Sequence, residues 1–569
     1  MPGATLASVV ATVAVRHGDR PALTDENESL SYDELVDRVA RYAYWASTQE
    51  LAPGDVVCVI MPNCVDYVAI WLGITSVGCV VSFINTNLRG AALRHSIDAA
   101  EPVHLIVATS LLAGVLEAVD MTPVHVPIWA HGDGASRFPC IDRLVADYAL
   151  ELLGNSVHRQ RPEPDRALII YTSGTTGFPK AAHVTHARVL EWSYWFAGMM
   201  DAVPTDRLYN CLPLYHSTGG VVAVGAMLVS GGCVVIRTRF SARNFWNDVV
   251  QSESSIFQYI GELCRYLVGT PAQPANQLHR LRLCCGNGLR GDIWPIFERR
   301  FRIPRILEFY AATEGGVSLY NCDARPGSVG RIPTFLAHRF PLALIRCDLE
   351  TGQPLRNEAG FCLVAGIDEP GEAIGRIDRL SQQPARRFDG YTDCAASENK
   401  ILRNVFIGGD MWSRSGDLMR RDGAGYHTFI DRMGDTFRWK GENVSVSEVA
   451  ATIARCSGVV DCVVYGVFVP GNEGRAGMAA VSTNQGFSLD LLVPHLVSTL
   501  PDYARPIFIR LCRDIEMTGT FKLIKGRLAH DGYRQQTEDP VWVYDRSTSS
   551  FVLCDGKCLA SIESCSFPL

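Results

Sequence analysis

The sequence predicts an α/β protein in which a large N-terminal domain, built on parallel-rich sheets, precedes a small α+β C-terminal domain. Three observations carry that prediction. The chain has 569 residues, whereas a single hydrophobic core stops growing at roughly 250–300 residues. Short buried-strand patterns alternate with helical patterns through the first part of the chain, which is the signature of a mostly parallel sheet. The stretch from about residue 435 to 569 combines a strand-like run, Cys462–Val467, with a helix-like run near Leu489 to Leu500.

The elements follow in order. Ser31-Tyr32-Asp33-Glu34 reads as a capping box, with Ser at the cap and Glu three positions later. Leu35, Val36, Val39, Tyr42 and Ala43 share one face of the helix it starts. Pro53-Gly54 turns the chain into a strand at Val56–Ile60, a helix is predicted over Ala69–Val77, and Val80–Ile84 forms the next strand. Two apolar stretches invite comparison with a membrane span. Val56–Ile84 is interrupted by Asn63 and Asp66, and Val221–Ile236 by Ser230-Gly231-Gly232. Both fall short of the ~20 uninterrupted apolar residues a spanning helix needs, so each predicts a buried helix joined to a buried strand.

Composition narrows the function classes. The apolar share of 47% is that of an ordinary globular protein, and the net charge of −7 points to no nucleic-acid partner and no polybasic membrane anchor. Nineteen cysteines are scattered without a C-x-x-C pair. That is neither a zinc layout nor a disulfide scaffold, and they are expected to be buried small apolar side chains in a reducing cytosol. Residues 1–15 lack a basic leader, so no signal peptide is expected.

The chemistry centres on Tyr171-Thr172-Ser173-Gly174-Thr175-Thr176-Gly177-Phe178-Pro179-Lys180, entered from the strand-like Ala167–Ile170. Two glycines and four hydroxyl residues within six positions, closed by a lysine, suit a phosphate: backbone N–H groups form an anion-binding concavity, and the hydroxyls and ammonium add donors. A polar hairpin turn is the alternative. Pro179 stands where a common P-loop has its second glycine. Further on, Gly286-Asn287-Gly288-Leu289-Arg290-Gly291 fits G-x-G-x-x-G, with Glu308 at a distance that suits a dinucleotide fingerprint. In Phe309–Gly316, Tyr310 is placed to stack on a purine, Thr313 to donate to a phosphate oxygen and Glu314 to hold Mg²⁺.

The ten-residue glycine/threonine string resembles the phosphate loop of the adenylate-forming superfamily. Asn85–Gly90, Gln258–Tyr266 and Arg386–Tyr391 resemble its fatty-acid transport protein and very-long-chain acyl-CoA synthetase branch. The resemblance spans residues 20–545. It implies that Thr172, Ser173, Gly174, Thr175, Thr176, Gly177 and Lys180 bind phosphate, that Gly286, Asn287 and Gly288 lie against adenine, and that Tyr310, Thr313 and Glu314 have the roles given above. It places Asp417 on the ribose, Arg432 on the ribose or α-phosphate, and His216 as a wall of the acyl pocket. Gly434 becomes a hinge, Lys440 a residue of the second half-reaction and Lys522 the lysine that enters during adenylation. Ala311 departs from the glycine usual in the family. The implied layout is an AMP-binding domain over 1–433, a mobile C-terminal domain over 434–545 and a flexible tail over 546–569.

The implied activity is ATP-dependent ligation of a long-chain, very-long-chain or bulky lipophilic carboxylic acid to coenzyme A through an acyl-AMP, with Mg²⁺. Carrier-protein loading, NAD(P)-dependent dehydrogenation and non-catalytic fatty-acid uptake are the competing readings. A cytoplasmic location is expected, with at most a peripheral membrane contact.

Overall fold

The computed structural model describes residues 4–119, 126–134, 136–148, 166–172, 178–348, 351–378, 387–433, 436–439, 442–472, 474–518, 523–534 and 538–568. Its chain packs into two units, one formed by residues 1–341, 375–403 and 411–413 and the other by residues 342–374, 404–410 and 414–569.

The first unit contains a six-stranded sheet in the order Ile128–His131, His104–Ala108, Val56–Ile60, Val80–Phe83, Arg166–Thr172 and Lys180–Thr185. The first five strands run parallel and the last is antiparallel. The helix Tyr32–Thr48 starts at the predicted capping box: Ser31 N–H donates to Glu34 at 2.7 Å and Glu34 N–H donates to Ser31 Oγ at 3.2 Å. It buries Leu35, Val39, Tyr42 and Ala43. The next helix, Val65–Ser76, begins earlier than the sequence predicts and is buried along its whole length. Asp66, read as an interruption, lies in its first turn. Its carboxylate accepts from Arg38 at 2.5 Å and Tyr42 at 3.0 Å and lies 2.9 Å from His131 Nε2. A buried charge is tolerated when paired and hydrogen-bonded in this way.

A second sheet supplies the edge on which the candidate site sits. Within the first unit its strands include, in order, Gly330–Arg331, Ser318–Asn321, Ile306–Ala311, Leu283–Asn287, Ile256–Ile260, Arg207–Asn210, Cys233–Ile236, Pro21–Thr24 and Ser29–Ser31. The six from Ile306–Ala311 to Pro21–Thr24 are parallel. The Val221–Ile236 stretch resolves as predicted into a buried helical segment, ended by Gly231 at φ 80°, and a buried strand. No helix among the described residues is long and apolar enough to cross a membrane.

The second unit holds a five-stranded sheet in the order Val459–Val467, Ala476–Thr483, Phe508–Cys512, Val541–Asp545 and Ser550–Leu553. The helices Val446–Ile453 and Leu489–Thr499 belong to the same unit. The flexible tail expected over 546–569 is corrected here. Ser550–Leu553 pairs with Val541–Asp545, and the helix Gly556–Glu563 follows. Phe551, Cys554 and Ile562 belong to this unit's core, so the chain end is ordered by apolar burial that its short, Ser- and Cys-rich pattern did not announce. Every cysteine is a free thiol and most are buried.

One consequence is measurable. Ile562 is 1% exposed, so Ile562→Ala should destabilise the second unit by about 2–5 kcal/mol, read by denaturant unfolding. A loose tail would leave the transition unmoved.

Candidate active site

In an open sheet of parallel strands, ligands bind outside the carboxyl ends. Four adjacent strands of the second sheet deliver sequence-predicted residues to that edge. Arg207–Asn210 leads to the loop carrying His216, Ile256–Ile260 ends at Gly261, Leu283–Asn287 opens the glycine turn, and Ile306–Ala311 runs into Thr313 and Glu314. The Ser217 and Thr313 hydroxyls lie 3.4 Å apart, which joins the His216 loop to the Thr-Glu turn.

The phosphate-loop stretch closes an antiparallel hairpin, with Thr172 directly opposite Lys180. A helix, His186–Met199, comes only after the second strand, so this loop is not the strand-to-helix turn of a P-loop. Ser173, Gly174, Thr175, Thr176 and Gly177 lie outside the described residues. The two residues at the hairpin mouth are tied to Glu314 through Tyr391, a residue to which the sequence assigned no role. Its hydroxyl donates to Glu314 Oε1 at 2.6 Å and is hydrogen-bonded to the Thr172 side chain. Lys180 Nζ stands 5.9 Å from the Tyr391 ring centroid. Burial keeps the phenol protonated far above its ordinary range. The Tyr391 segment is held in place by strand-like bonds to the hairpin, His183 N–H to Gly390 O at 3.0 Å and Thr392 N–H to Ala181 O at 2.9 Å.

Glu314 is buried, and Lys400 Nζ lies 3.7 Å from its Oε1. Gly315 and Gly316, at φ 91° and 99°, follow it. A Cβ on Gly315 would sit 1.9 Å from an Arg188 guanidinium nitrogen, and one on Gly316 would sit 1.8 Å from Ser413 Oγ. Both the backbone conformation and the space therefore require glycine. Arg188 is itself buried. Its Nε is 3.0 Å from Asp389 and its Nη2 donates to Arg387 O at 2.8 Å. One guanidinium thus braces both the Glu314 turn and the segment bearing Tyr391. Among the described residues no group of three or more His, Cys, Asp or Glu is placed to hold a metal ion by itself. A single carboxylate beside a phosphate loop nevertheless fits Mg²⁺, which is commonly bound by one or two carboxylates plus substrate phosphates.

The Gly286-Asn287-Gly288 turn rests on Glu308. The N–H groups of Gly288 and Leu289 donate to its Oε1, the latter at 3.2 Å. Its Oε2 is 2.5 Å from the Tyr259 hydroxyl, which also reaches Leu307 O at 3.0 Å. A Cβ on Gly261 would meet Gly288 O at 1.7 Å, so the two loops touch backbone to backbone. Glu308 is spent on the turn's own amides inside the core and presents nothing to a ribose, which removes the dinucleotide reading. Burial raises the Glu308 pKa to about 8. In the protonated form every atom is satisfied: the acid proton lies between Oε2 and the phenol oxygen, and the phenol donates to Leu307 O. Tyr310, half-buried, occupies the strand end beside this turn.

His216 is half-buried, its solvent-shielded Nε2 has no hydrogen-bond partner among the described residues, and its ring lies 4.6 Å from that of Tyr215. Burial lowers its pKa to about 4, so the imidazole is neutral at physiological pH. A shielded polar atom without a partner suits a bound ligand.

In the second unit, Asp417 and Arg432 are cross-strand partners, with Arg432 Nε 3.3 Å from Asp417 Oδ1. The turn before Asp417 is pinned by fully buried Glu372, which accepts from Arg414 Nη2 at 2.7 Å, from Arg414 Nε at 3.0 Å and from Gly416 N–H at 3.1 Å. Gly434, Lys440 and Lys522 lie outside the described residues.

The Glu308 geometry sets a pH dependence. Its native pKa of about 8 lies above its ordinary 4.5, so the native state binds the extra proton and the stabilisation is lost as pH rises through about 8. Thermal unfolding should show wild type losing stability relative to Glu308→Gln from about pH 4.5 up to about pH 8, the interval between the two pKa values, with no further loss above it. Parallel pH profiles would remove the assignment.

The AMP-binding enzyme family model matches residues 10–366, and the model of the AMP-binding enzyme C-terminal domain matches residues 448–522. The chain is 38% identical over 574 residues to the long-chain fatty acid transport protein 1 of Mus musculus, an alignment covering 100% of this chain and 88% of that protein. It is likewise 38% identical over 550 residues to the medium/long-chain-fatty-acid–CoA ligase FadD6 of Mycobacterium tuberculosis, covering 95% and 88%. Among solved structures, the anthranilate CoA ligase AuaEII in complex with anthranoyl-AMP superposes with a TM-score of 0.77 at 19% identity, covering 92% of this chain and 96% of that one. ATP-bound MatB from Rhodopseudomonas palustris gives 0.76 at 22%, covering 93% and 99%. These two similarities establish a shared fold. With the family models and near-full-length relatives in agreement, the chain belongs to the AMP-binding enzymes.

Proposed function

We propose that the protein is an AMP-forming acid–thiol ligase that activates a long-chain, very-long-chain or bulky lipophilic carboxylic acid with ATP and transfers it to coenzyme A. The observation that carries the proposal is the Tyr391 junction. It fixes a buried carboxylate, Glu314, beside both residues at the mouth of the phosphate hairpin, Thr172 and Lys180. The 38% identity to a fatty-acid–CoA ligase supports the substrate class.

A carboxylate is a poor acyl donor because oxide would have to leave. In the first half-reaction one oxygen of the substrate carboxylate bonds to the α-phosphorus of ATP. The bond from that phosphorus to the bridging oxygen breaks, and pyrophosphate leaves. Such a displacement asks the protein for alignment and charge neutralisation more than for covalent chemistry. The hairpin from Thr172 to Lys180 would hold the β- and γ-phosphates. Tyr391 would orient Glu314, and Mg²⁺ bound there would supply positive charge against the phosphate oxygens. The Gly286–Gly288 turn and Tyr310 would hold adenine, Thr313 a phosphate oxygen, Asp417 the ribose, and Arg432 the ribose or α-phosphate. Neutral His216 would wall the acyl pocket and take part in no charge neutralisation.

In the second half-reaction the coenzyme A thiol attacks the acyl carbonyl and AMP leaves. The residues from 434 onward would act as a mobile domain turning about Gly434. Lys522 would serve adenylation and Lys440 the thioester step. A peripheral membrane contact belongs to the same reading, supported by the transport-protein names of the relatives. Vesicle co-sedimentation with no bound protein would remove that contact.

Purified protein with ATP and Mg²⁺ should release pyrophosphate for at least one lipophilic acid in a panel, and should form its thioester when coenzyme A is added. Absence of acid-dependent pyrophosphate release across the panel would end the proposal. Glu314→Gln should lower the adenylation rate by about 10²–10³-fold, the size typical of losing one electrostatic contributor. Lys522→Ala should lose acyl-AMP formation yet still convert supplied acyl-AMP to thioester. Equal loss of both halves would contradict its role.

A further inference from the structure

We infer that Lys400 is a further catalytic residue, one whose ammonium binds the β/γ-phosphate end of ATP and the departing pyrophosphate. The inference rests on the ligase reading above. Lys400 occupies the turn between the helix Cys394–Glu398 and the strand Ile401–Arg403. Its backbone is fixed on both sides. Asp393 caps the helix by accepting from the N–H groups of Ala395 at 2.8 Å and Ala396 at 3.2 Å, Lys400 N–H donates to Ser397 O at 3.1 Å, and Ile401 pairs with Ser413. The side chain reaches inward to within 3.7 Å of Glu314 Oε1.

The same Glu314 oxygen already accepts the Tyr391 hydroxyl at 2.6 Å. The lysine contact is longer than a hydrogen bond and is an ion pair. Lys180 Nζ stands 5.9 Å from the centroid of the Tyr391 ring, and Thr172 bonds the phenol. Among the described residues, two ammonium groups, Lys180 and Lys400, and the Glu314 carboxylate therefore gather at Tyr391, beside the mouth of the hairpin. That balance is suited to a polyanion. A carboxylate engaged with Mg²⁺ attracts an ammonium less strongly, and the adjacent triphosphate then becomes the nearer and more highly charged partner for Lys400.

The chemistry needs charge in that position. As the α-phosphorus bond to the bridging oxygen breaks, negative charge accumulates on the pyrophosphate that departs. A lysine within reach stabilises that charge without gaining or losing a proton. If Lys400 served only to neutralise Glu314, its loss would leave that carboxylate a stronger partner for Mg²⁺ and would not weaken Mg²⁺-ATP or Mg²⁺-pyrophosphate. A contact with the β/γ-phosphates acts on ATP and pyrophosphate and leaves AMP untouched.

Equilibrium binding of ATP, pyrophosphate and AMP, each with Mg²⁺, separates these cases. Lys400→Gln should weaken ATP and pyrophosphate by about tenfold, the loss of one charge-assisted bond, and leave AMP affinity unchanged; Lys400→Arg should restore both. Equal weakening of AMP, or unchanged ATP affinity, would overturn the inference. In the wild-type protein, amine acylation at Lys400, followed by peptide mass spectrometry, should be slowed by Mg²⁺-pyrophosphate and not by AMP. Protection by AMP as strong as by pyrophosphate, or by neither, would overturn it even if the variants fail to fold. Wild-type protein that binds no ATP would overturn the ligase reading and this inference together. Wild-type binding without the ATP-versus-AMP difference overturns the inference alone.

Discussion

A pair of parallel strands cannot be closed by a tight turn: the chain has to cross back over the sheet before the next strand can begin. Six such strands lie side by side in the second sheet of the first unit. Their carboxyl ends consequently share one edge, and segments far apart in the chain meet there. His216, Gly288, Tyr310, Thr313 and Glu314 share that edge because the strands before them are parallel. The antiparallel hairpin of the other sheet brings Thr172 and Lys180, and the Tyr391 hydroxyl makes the connection.

Three buried carboxylates show how one problem receives three solutions. An unpaired charge in the interior costs several kcal/mol. Glu308 avoids that cost by holding its proton and letting two backbone amides and a phenol satisfy its oxygens. Glu372 is paired with Arg414, with the Gly416 amide completing its shell, and so fixes the turn before Asp417. Glu314, among the described residues, has one short hydrogen bond from Tyr391 and one longer ion pair with Lys400. The first two hold turns of the backbone in place, and the third joins the segments bearing Tyr391 and Lys400.

Much of this was legible in the residues. The capping box at Ser31 and the broken apolar stretch at Val221–Ile236 form as read because their signals are local. Of the two readings of Tyr171–Lys180, the hairpin holds for the described flanks, where Thr172 lies opposite Lys180. What the residues concealed depends on partners far away in sequence. Arg188 and Asp389 look like ordinary surface charges until they meet in the interior, and Tyr391 acquires meaning only beside Glu314. Asp66 was read as a break because a lone acid in an apolar run carries no sign of the Arg38 that satisfies it. The closing strand and helix were missed because Phe551 and Ile562 supply their burial one residue at a time, without a periodic stripe.

The free cysteines give the folded chain an internal reporter. Only Cys322, Cys394 and Cys565 are exposed, whereas Cys58, Cys79, Cys211, Cys264, Cys284 and Cys285 are buried in the first unit and Cys456, Cys512 and Cys554 in the second. A thiol shielded from solvent reacts only when the structure around it opens. The rate at which each thiol is alkylated is therefore a clock for the opening of its own neighbourhood.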